Sequence, residues 1–332
     1  MPVSKREGPS MSLSRSAGIF MIALVLITSL SCRNREDADS GMRTGKLKVV
    51  TSLFPVYDFA RAVGGSNAEV TLLLPPGVEP HSFEPKPADM VKLNSADIFI
   101  YTNRYMEPWI GDIAISVDSS RVLIVDASRG VDLLERTDGD HAGEGGAKGS
   151  MRTLEKNADP HIWLDFSNAQ IMVETIRDAF IIKDPQNRET YRKNAEGYRK
   201  ELDALDRKYR ESLSRCRKKT MVDGGHYTFG YFARRYGLTY IAAYGFSPDA
   251  EPTARDLARI SGVLRREGLK HLYYEELLTP RVARTISRET GASLLRLHGA
   301  HNISRKELRR GTTFRELMEK NLDQLMTGLQ CR

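Results

Sequence analysis

The chain has 332 residues, of which 40% are hydrophobic and 28% are charged, and its formal net charge is +7. This length and composition are typical of two folded domains and exclude a low-complexity disordered chain. The positive charge does not indicate a nucleic-acid partner, because basic and acidic residues are interleaved along predicted helices, as between Tyr191 and Lys219. Such interleaving is typical of a solvated helix face.

The N-terminus has the pattern of an export signal. Basic residues precede an apolar run at 19–30 that is too short to span a bilayer comfortably. The run closes on small residues before Cys32, which resembles a bacterial lipoprotein cleavage site, although Ser29 stands where an apolar residue is usual. We expect a signal peptide at 1–31, lipidation of Cys32 and a polar tether at 32–45. Plain cleavage that releases a soluble protein is the alternative.

The first folded half is predicted at 46–186 and alternates strands with helices. Strands are predicted at 47–51, 70–74, 98–101 and 122–125, and helices at 56–63, 87–94 and 165–182. This alternation favours a parallel sheet covered by helices on both faces. A glycine-rich stretch at 138–150, which contains His141, interrupts the pattern and is predicted to be a mobile loop.

A long helix at 189–213 is predicted within a connecting segment, 187–215. Its apolar residues recur at steps of three and four, which gives it one packing face. These residues are Tyr191, Ala195, Tyr198, Leu202, Leu205, Tyr209 and Leu213.

The second folded half, 216–332, repeats the alternation of the first. Its predicted strands are 220–223, 239–243, 272–274 and 293–297, and its predicted helices are 229–236, 253–267, 280–289 and 313–326. The predicted fold class is therefore α/β, with two Rossmann-like lobes, each a parallel sheet flanked by helices, joined by a long rigid helix.

Two cysteines remain once Cys32 is acylated. Disulfides persist in the oxidising compartment that an exported protein enters. We predict a disulfide between Cys216 and Cys331 that fixes the C-terminal tail to the second lobe. Two free thiols are the alternative.

Four of the seven histidines lie just beyond predicted elements of strand–helix units, two in each half: His81, His161, His226 and His301. Ligands of open α/β sheets bind outside the carboxyl ends of the strands, so these side chains converge if the lobes face each other. Four neutral imidazoles suit tetrahedral Zn²⁺, whereas Mn²⁺ prefers more carboxylate oxygen. Four protein ligands also leave no place for water, which favours transport over catalysis.

Carboxylates are predicted to orient these imidazoles, because a metal-bound ring usually donates its second nitrogen to a carboxylate or carbonyl. The candidates are Glu251, Glu275 and Asp165, and a helix cap or surface ion pair is the alternative for each. Since only neutral imidazoles bind metal, we expect zinc affinity to fall as the pH drops through the histidine range near ~6.5.

Three motifs resemble the metal-ligand motifs of the zinc and manganese solute-binding proteins of ATP-binding-cassette importers. They are LPPGVEPHSFEP at 74–85, DPHIWLD at 159–165 and GHYTFGYFARRYGL at 225–238. They occur in the order and spacing of that family, and the resemblance covers the chain from Leu47 to the C-terminus. Zinc-type members often have a His-rich acidic loop between the first two motifs, of which the stretch around His141 looks like a reduced version; a flexible surface loop is the alternative.

The resemblance implies a set of metal ligands. The third ligand of the family is His in zinc-type members and often Glu in manganese-type ones, so His226 implies zinc. The fourth is commonly Asp, but this sequence reads GAHN at 299–302. We expect His301 to take that place, with His298 as the alternative.

The resemblance also implies a function. We expect an exported, monomeric zinc-binding lipoprotein, in the periplasm or on the outer face of the cytoplasmic membrane, that delivers Zn²⁺ to a permease and its ATPase. The same role for Mn²⁺ or Fe²⁺ is an alternative, and a surface adhesin with the same fold is another. A zinc hydrolase with a catalytic carboxylate such as Glu275 is a further rival, but the His-Glu-x-x-His motif is missing and we expect no enzyme.

Overall fold

The computed structural model describes residue 1 and the ranges 45–135, 158–246, 252–276 and 280–332. Five of the sequence predictions lie outside these residues: the signal peptide after Met1, Cys32, the tether up to residue 44, the glycine-rich loop with His141, and Glu251. Within the described ranges, no helix combines the length and the apolar character that crossing a membrane requires.

The first lobe contains a four-stranded parallel sheet in the order β2-β1-β3-β4. Its strands are β1 (Leu47–Thr51), β2 (Ala68–Leu72), β3 (Ile98–Tyr101) and β4 (Leu123–Asp126). Its helices are α1 (Phe54–Gly64), α2 (Pro87–Asn94), α3 (Ile110–Ser116) and α4 (Phe166–Lys183). The order reverses between β1 and β3, and the carboxyl edge of a parallel sheet at such a reversal is where ligands bind.

The second lobe has the same strand order, β6-β5-β7-β8, and is also parallel. Its strands are β5 (Thr220–Asp223), β6 (Thr239–Ala242), β7 (His271–Tyr274) and β8 (Ser293–Arg296). Its helices are α6 (Gly230–Tyr236), α7 (Ala254–Arg266), α8 (Arg281–Thr290), α9 (Arg305–Arg310) and α10 (Phe314–Gly328). The two predicted α/β lobes are therefore confirmed.

The long helix α5 (Arg188–Ser214) lies between the lobes, and all seven residues of its predicted packing face are buried. One apolar core runs through α5 and both lobes. Polar bonds reinforce it, because Asp58 on α1 accepts hydrogen bonds from the Tyr198 hydroxyl and from the Phe314 amide, each at 2.9 Å. The helix therefore joins the lobes through a shared core.

Every predicted strand and helix is present, with ends that differ by no more than two residues. The largest shift in a strand concerns β2, predicted at 70–74. Leu73 and Leu74 are buried like strand residues but follow the strand's end, where their amides donate to Thr51 and Ser52. Helices α3 and α9 are not among the predicted elements, because helices of seven and six residues are too short to show helical periodicity.

The structure joins Cys216 and Cys331 by the predicted disulfide. The tail also pairs with the start of the second lobe, since the Lys218 amide donates to the Leu329 carbonyl at 3.0 Å. The C-terminus is thus fixed beside β5 by covalent and hydrogen bonds.

Candidate metal centre

Four histidines reach one point between the lobes, each from a different segment. His81 lies in the loop after β2, and His161 directly precedes the short 3₁₀ helix Ile162–Leu164 before α4. His226 follows β5 by three residues, and His301 follows β8 by five. The parallel sheets place their carboxyl edges toward this point, as the fold class predicts.

The four rings form a nearly regular tetrahedron. The six distances between their centroids run from 4.9 to 5.7 Å. One nitrogen from each ring lies within 4.8 Å of the other three, and Nε2 of His161 is 3.3 Å from Nε2 of His226. A tetrahedral zinc ion with bonds of roughly 2.0 to 2.1 Å separates its ligand nitrogens by about 3.3 to 3.4 Å. The cluster therefore has the dimensions of a tetrahedral metal site.

The histidines differ in their exposure. His161, His226 and His301 are 0 to 3% exposed, whereas His81 is half-buried. Nε2 of His81 and Nε2 of His301 are themselves buried and have no hydrogen-bond partner among the described residues. Because buried polar atoms are normally paired, these two nitrogens require a ligand at the centre of the cluster.

Carboxylates contact three of the rings from behind. Oδ1 of Asp159 lies 2.8 Å from Nδ1 of His161, and Oε2 of Glu275 lies 2.6 Å from Nδ1 of His226. Oε1 of Glu276 is a looser neighbour of His301, 3.8 Å from its Nδ1. No described carboxylate pairs with His81.

These contacts fix the tautomer of the rings. A carboxylate opposite Nδ1 favours a proton on that nitrogen and leaves Nε2 as an acceptor. The Nε2 lone pairs of His161 and His226 then face each other across 3.3 Å and cannot hydrogen-bond. The Thr228 hydroxyl, 2.9 Å from Nε2 of His226, also lies 3.4 Å from Glu275 and can turn to it. A cation shared by the rings satisfies these lone pairs.

The buried surroundings keep three of the histidines neutral. Burial and the neighbouring rings lower the pKa of His81 and of His161 well below the usual range, and burial together with His301 lowers that of His226 to about 3. Neutral imidazole is the form that binds metal.

The carboxylates titrate differently from one another. Burial raises the pKa of Glu275 to about 8. Burial also acts upward on the pKa of Glu276, but His298, His301 and the Gly299 amide outweigh it and bring the value to about 2. Glu276 is therefore ionised at neutral pH, and a divalent cation in the cluster would favour ionised Glu275 as well.

Two glycines make room for this arrangement. A Cβ atom on Gly225 would stand 2.0 Å from Oε1 of Glu275, and one on Gly299 would stand 2.5 Å from the ring of His301. Ala300 adopts φ 59°, a left-handed conformation that costs an L-residue about 1 to 2 kcal/mol. The loop before His301 is therefore shaped by the site more than by local preference.

One predicted supporting residue is corrected by the structure. Asp165 does not contact the histidines: it caps α4 through the Ser167 amide at 2.8 Å and pairs with Arg235 at 2.7 Å. Asp159 contacts His161 in its place. Glu275 contacts His226, as predicted.

The positions of two carboxylates, Asp159 and Glu276, and of His298 relative to the cluster became known only from the structure. Asp159 precedes His161 by two residues and Glu276 follows Glu275, so their closeness in sequence to predicted site residues was the available signal. His298, the alternative fourth ligand, lies outside the four-histidine cluster. Its Nδ1 instead accepts a hydrogen bond from the Ala300 amide at 3.0 Å.

The family model described as "Zinc-uptake complex component A periplasmic" matches residues 49–328. The chain belongs to this family. The family is a periplasmic component of an uptake complex and is not a family of enzymes. This agrees with the predicted family and with the expected absence of catalysis.

Named relatives agree with this assignment. The high-affinity zinc uptake system protein ZnuA of Bacillus subtilis is 34% identical over 314 residues, which cover 94% of this chain and 97% of the relative. The zinc-binding lipoprotein AdcA of Streptococcus pneumoniae is also 34% identical over 94% of this chain, but the match spans only 60% of that longer protein.

Solved structures show the same fold. The Zn(II)-bound ZnuA-like domain of Streptococcus pneumoniae AdcA superposes with a TM-score of 0.71 at 34% identity, covering 86% of this chain and 99% of that domain. The laminin-binding protein Lmb of Streptococcus agalactiae, described as having adhesin and metal-transporting activity, reaches a TM-score of 0.74 at 28% identity, covering 86% of this chain and 99% of that one.

Proposed function

We propose that this protein captures Zn²⁺ outside the cytoplasm and delivers it to the permease and ATPase of an ATP-binding-cassette importer. The observation that carries the proposal is the tetrahedral cluster of His81, His161, His226 and His301, in which one nitrogen of each ring lies within 4.8 Å of the other three and the buried Nε2 atoms of His81 and His301 have no partner among the described residues. The zinc-uptake family, together with the relatives named for zinc uptake and zinc binding, supports the choice of cargo.

The donor set favours zinc over manganese. All four donors are imidazole nitrogens, and the carboxylates that contact His161 and His226 lie against the far nitrogen of the ring. Zn²⁺ accepts four nitrogens in a tetrahedron, whereas Mn²⁺ prefers more oxygen ligands. Carriage of Mn²⁺ or Fe²⁺ is therefore the competing outcome that a measurement of metal content must address.

The site is built for holding an ion and not for turning over a substrate. Four protein ligands fill the tetrahedron, and hydrolytic zinc sites instead keep a position for water. The buried carboxylates Asp159, Glu275 and Glu276 offset the charge of the bound ion and orient the rings.

The proposal extends to how the protein is held near the permease. Lipidation of Cys32, after removal of residues 1–31, would anchor the chain, and residues 32–45 would tether it. The relative named as a zinc-binding lipoprotein supports this part. We further propose lobes at 46–186 and 216–332 joined by 187–215, and a monomer in solution.

Metal analysis of protein purified without added metal tests the proposal. We expect about one zinc ion per chain in the wild type and its loss in His301→Ala. His298→Ala is the matched control, because it removes a buried histidine three residues away that lies outside the cluster, and it should keep zinc. A wild type loaded with Mn²⁺ or Fe²⁺, or zinc that survives His301→Ala but not His298→Ala, would contradict the proposal.

A further inference from the structure

The loop that carries His81 consists of two tight turns. The Val78 amide donates to the Pro75 carbonyl at 3.1 Å, and Gly77 has φ 83°, the positive value that such a turn needs after proline. The Phe83 amide donates to the Pro80 carbonyl at 3.2 Å, which closes a second turn around His81. Turns of this kind set the path of the chain, but they leave its placement against the other lobe undetermined.

The other lobe supplies that placement through Asn302. Its side chain is fully buried, and Nδ2 donates to the Pro75 carbonyl at 2.8 Å and to the Val78 carbonyl at 2.9 Å. Oδ1 accepts from the Ile303 amide at 2.8 Å. Both side-chain N–H groups of Asn302 therefore donate to the two ends of the first turn, and these bonds cross from the second lobe to the first.

We propose that Asn302 is a positioning residue that sets His81 against His301, the neighbour of Asn302 in the chain. His81 has more need of such help than the other rings, since no described carboxylate orients it and it is half-buried. The orientation of the His81 ring toward the cluster must then be set by the backbone of its loop. This inference rests on the proposed metal site.

The chain offers a matched control for a purely structural effect. Asn321 on α10 is another buried asparagine that ties the same segment, but from within the second lobe. It accepts from the His298 amide and donates to the His298 carbonyl, both at 2.8 Å. Asn321→Ala removes comparable bonds from the start of this segment without touching the His81 loop.

The test is a set of zinc dissociation constants, measured by competition with a chelator, for the wild type, Asn302→Ala, Asn321→Ala, His81→Ala and the double variant His81→Ala with Asn302→Ala. Loss of a partner that orients a ligand costs about 10- to 100-fold in metal affinity. We expect Asn302→Ala to weaken binding about 10-fold in the wild type and less than about 2-fold once His81 is gone. Asn321→Ala should change binding less than about 3-fold.

Several outcomes would overturn the inference: wild-type affinity in Asn302→Ala, an equal loss in both backgrounds, or the same loss in Asn321→Ala. Cobalt spectra give a second readout, because Asn302→Ala should alter the tetrahedral Co²⁺ bands as His81→Ala does, and Asn321→Ala should not. If Asn302→Ala does not fold, Asn302→Ser enters the same cycle. If His81→Ala itself leaves zinc affinity unchanged, the proposed ligand set fails and not only the role of Asn302.

Discussion

The two lobes have the same strand order but place different groups behind their histidines. In the second lobe, Glu275 and Glu276 directly follow β7, and they lie beside His226 and His301. At the matching position after β3, the first lobe has Asn103. Its side-chain Nδ2 donates to the Pro160 carbonyl at 2.8 Å. The two lobes therefore share their strand order without sharing the groups that support their histidines.

This difference leaves His81 unlike the other three ligands. His161 obtains its carboxylate from its own segment, through Asp159, whereas His81 has none within the described residues and is the most exposed of the four. We infer that the buried rings form a fixed tripod oriented by carboxylates. His81 completes the tetrahedron through the conformation of its loop.

The largest expected difference is between His226, which a carboxylate orients, and His81, which no described carboxylate orients. His226→Ala and His81→Ala should both weaken zinc binding, and His226→Ala about 10-fold more, because Glu275 holds the ring of His226 in place. His226→Ala should also lower the free energy of unfolding of the metal-free protein by about 1 to 3 kcal/mol, since it takes the ring away from Oε2 of Glu275 and leaves that buried oxygen only the Thr228 hydroxyl at 3.4 Å. For His81→Ala we expect less than about 1 kcal/mol.

Titrations with a competing chelator and chemical unfolding of the metal-free variants give both quantities. Equal losses of affinity and of stability in the two variants would show that His81 does not differ from the three buried rings of the tripod.

A smaller effect is expected from the carboxylate alone. Glu275→Gln keeps the shape of the side chain but cannot present a carboxylate oxygen both to the backbone amide and to Nδ1 of His226 as Glu275 does. Zinc affinity should fall about 10- to 100-fold. Glu289→Gln is the control, because Glu289 lies in the same lobe, pairs with Arg265 and Ser261 and contacts no described histidine. A loss of affinity in Glu289→Gln that matched the loss in Glu275→Gln would refute a special role for the carboxylates behind the tripod.

The smallest effect concerns pH. Four histidines with an ordinary pKa near ~6.5 would lose about 16-fold in zinc affinity at that pH through protonation. Burial lowers the pKa of His81, His161 and His226, so we expect less than about a threefold loss between pH 7.5 and 6.5 in Glu275→Gln, where the carboxyl whose pKa burial raises to about 8 no longer titrates, with the steep fall at lower pH. The window predicted from the sequence near pH ~6.5 therefore moves toward acid.

The same shifts make the metal-free protein less stable in acid. The unfolded chain binds protons on these rings below pH ~6.5 while the folded rings stay neutral, so the free energy of unfolding decreases as the pH falls.

Zinc affinity of Glu275→Gln at pH 7.5 and 6.5, measured with a chelator of known proton dependence, checks the prediction about binding. A tenfold loss of zinc affinity already at pH 6.5 would show that burial does not keep these rings neutral.

The sequence was sufficient for the architecture because strands and helices leave periodic apolar patterns. The packing face of α5 is an example, since all its predicted members are buried. The four histidines could also be predicted, because each follows or precedes a recognisable element at the edge where parallel sheets bind ligands.

The partners of the histidines could not be predicted with the same success. Which carboxylate reaches which ring depends on side-chain direction in the loops that follow the strands, and no local pattern encodes that direction. Asp165 begins a helix and so acts as its cap, while Asp159 turns back onto His161. Asn302 reaches a turn that is more than two hundred residues away in the chain, and only the folded structure reveals that contact.

The central claim is that four imidazoles from opposing lobes meet around one zinc ion. X-ray absorption at the zinc edge on the loaded protein tests it most directly, because it reports the kind, number and distance of the bound atoms. We expect about four nitrogen neighbours with imidazole scattering at roughly 2.0 to 2.1 Å. A shell that contains carboxylate oxygen, or fewer than four imidazoles, would contradict it.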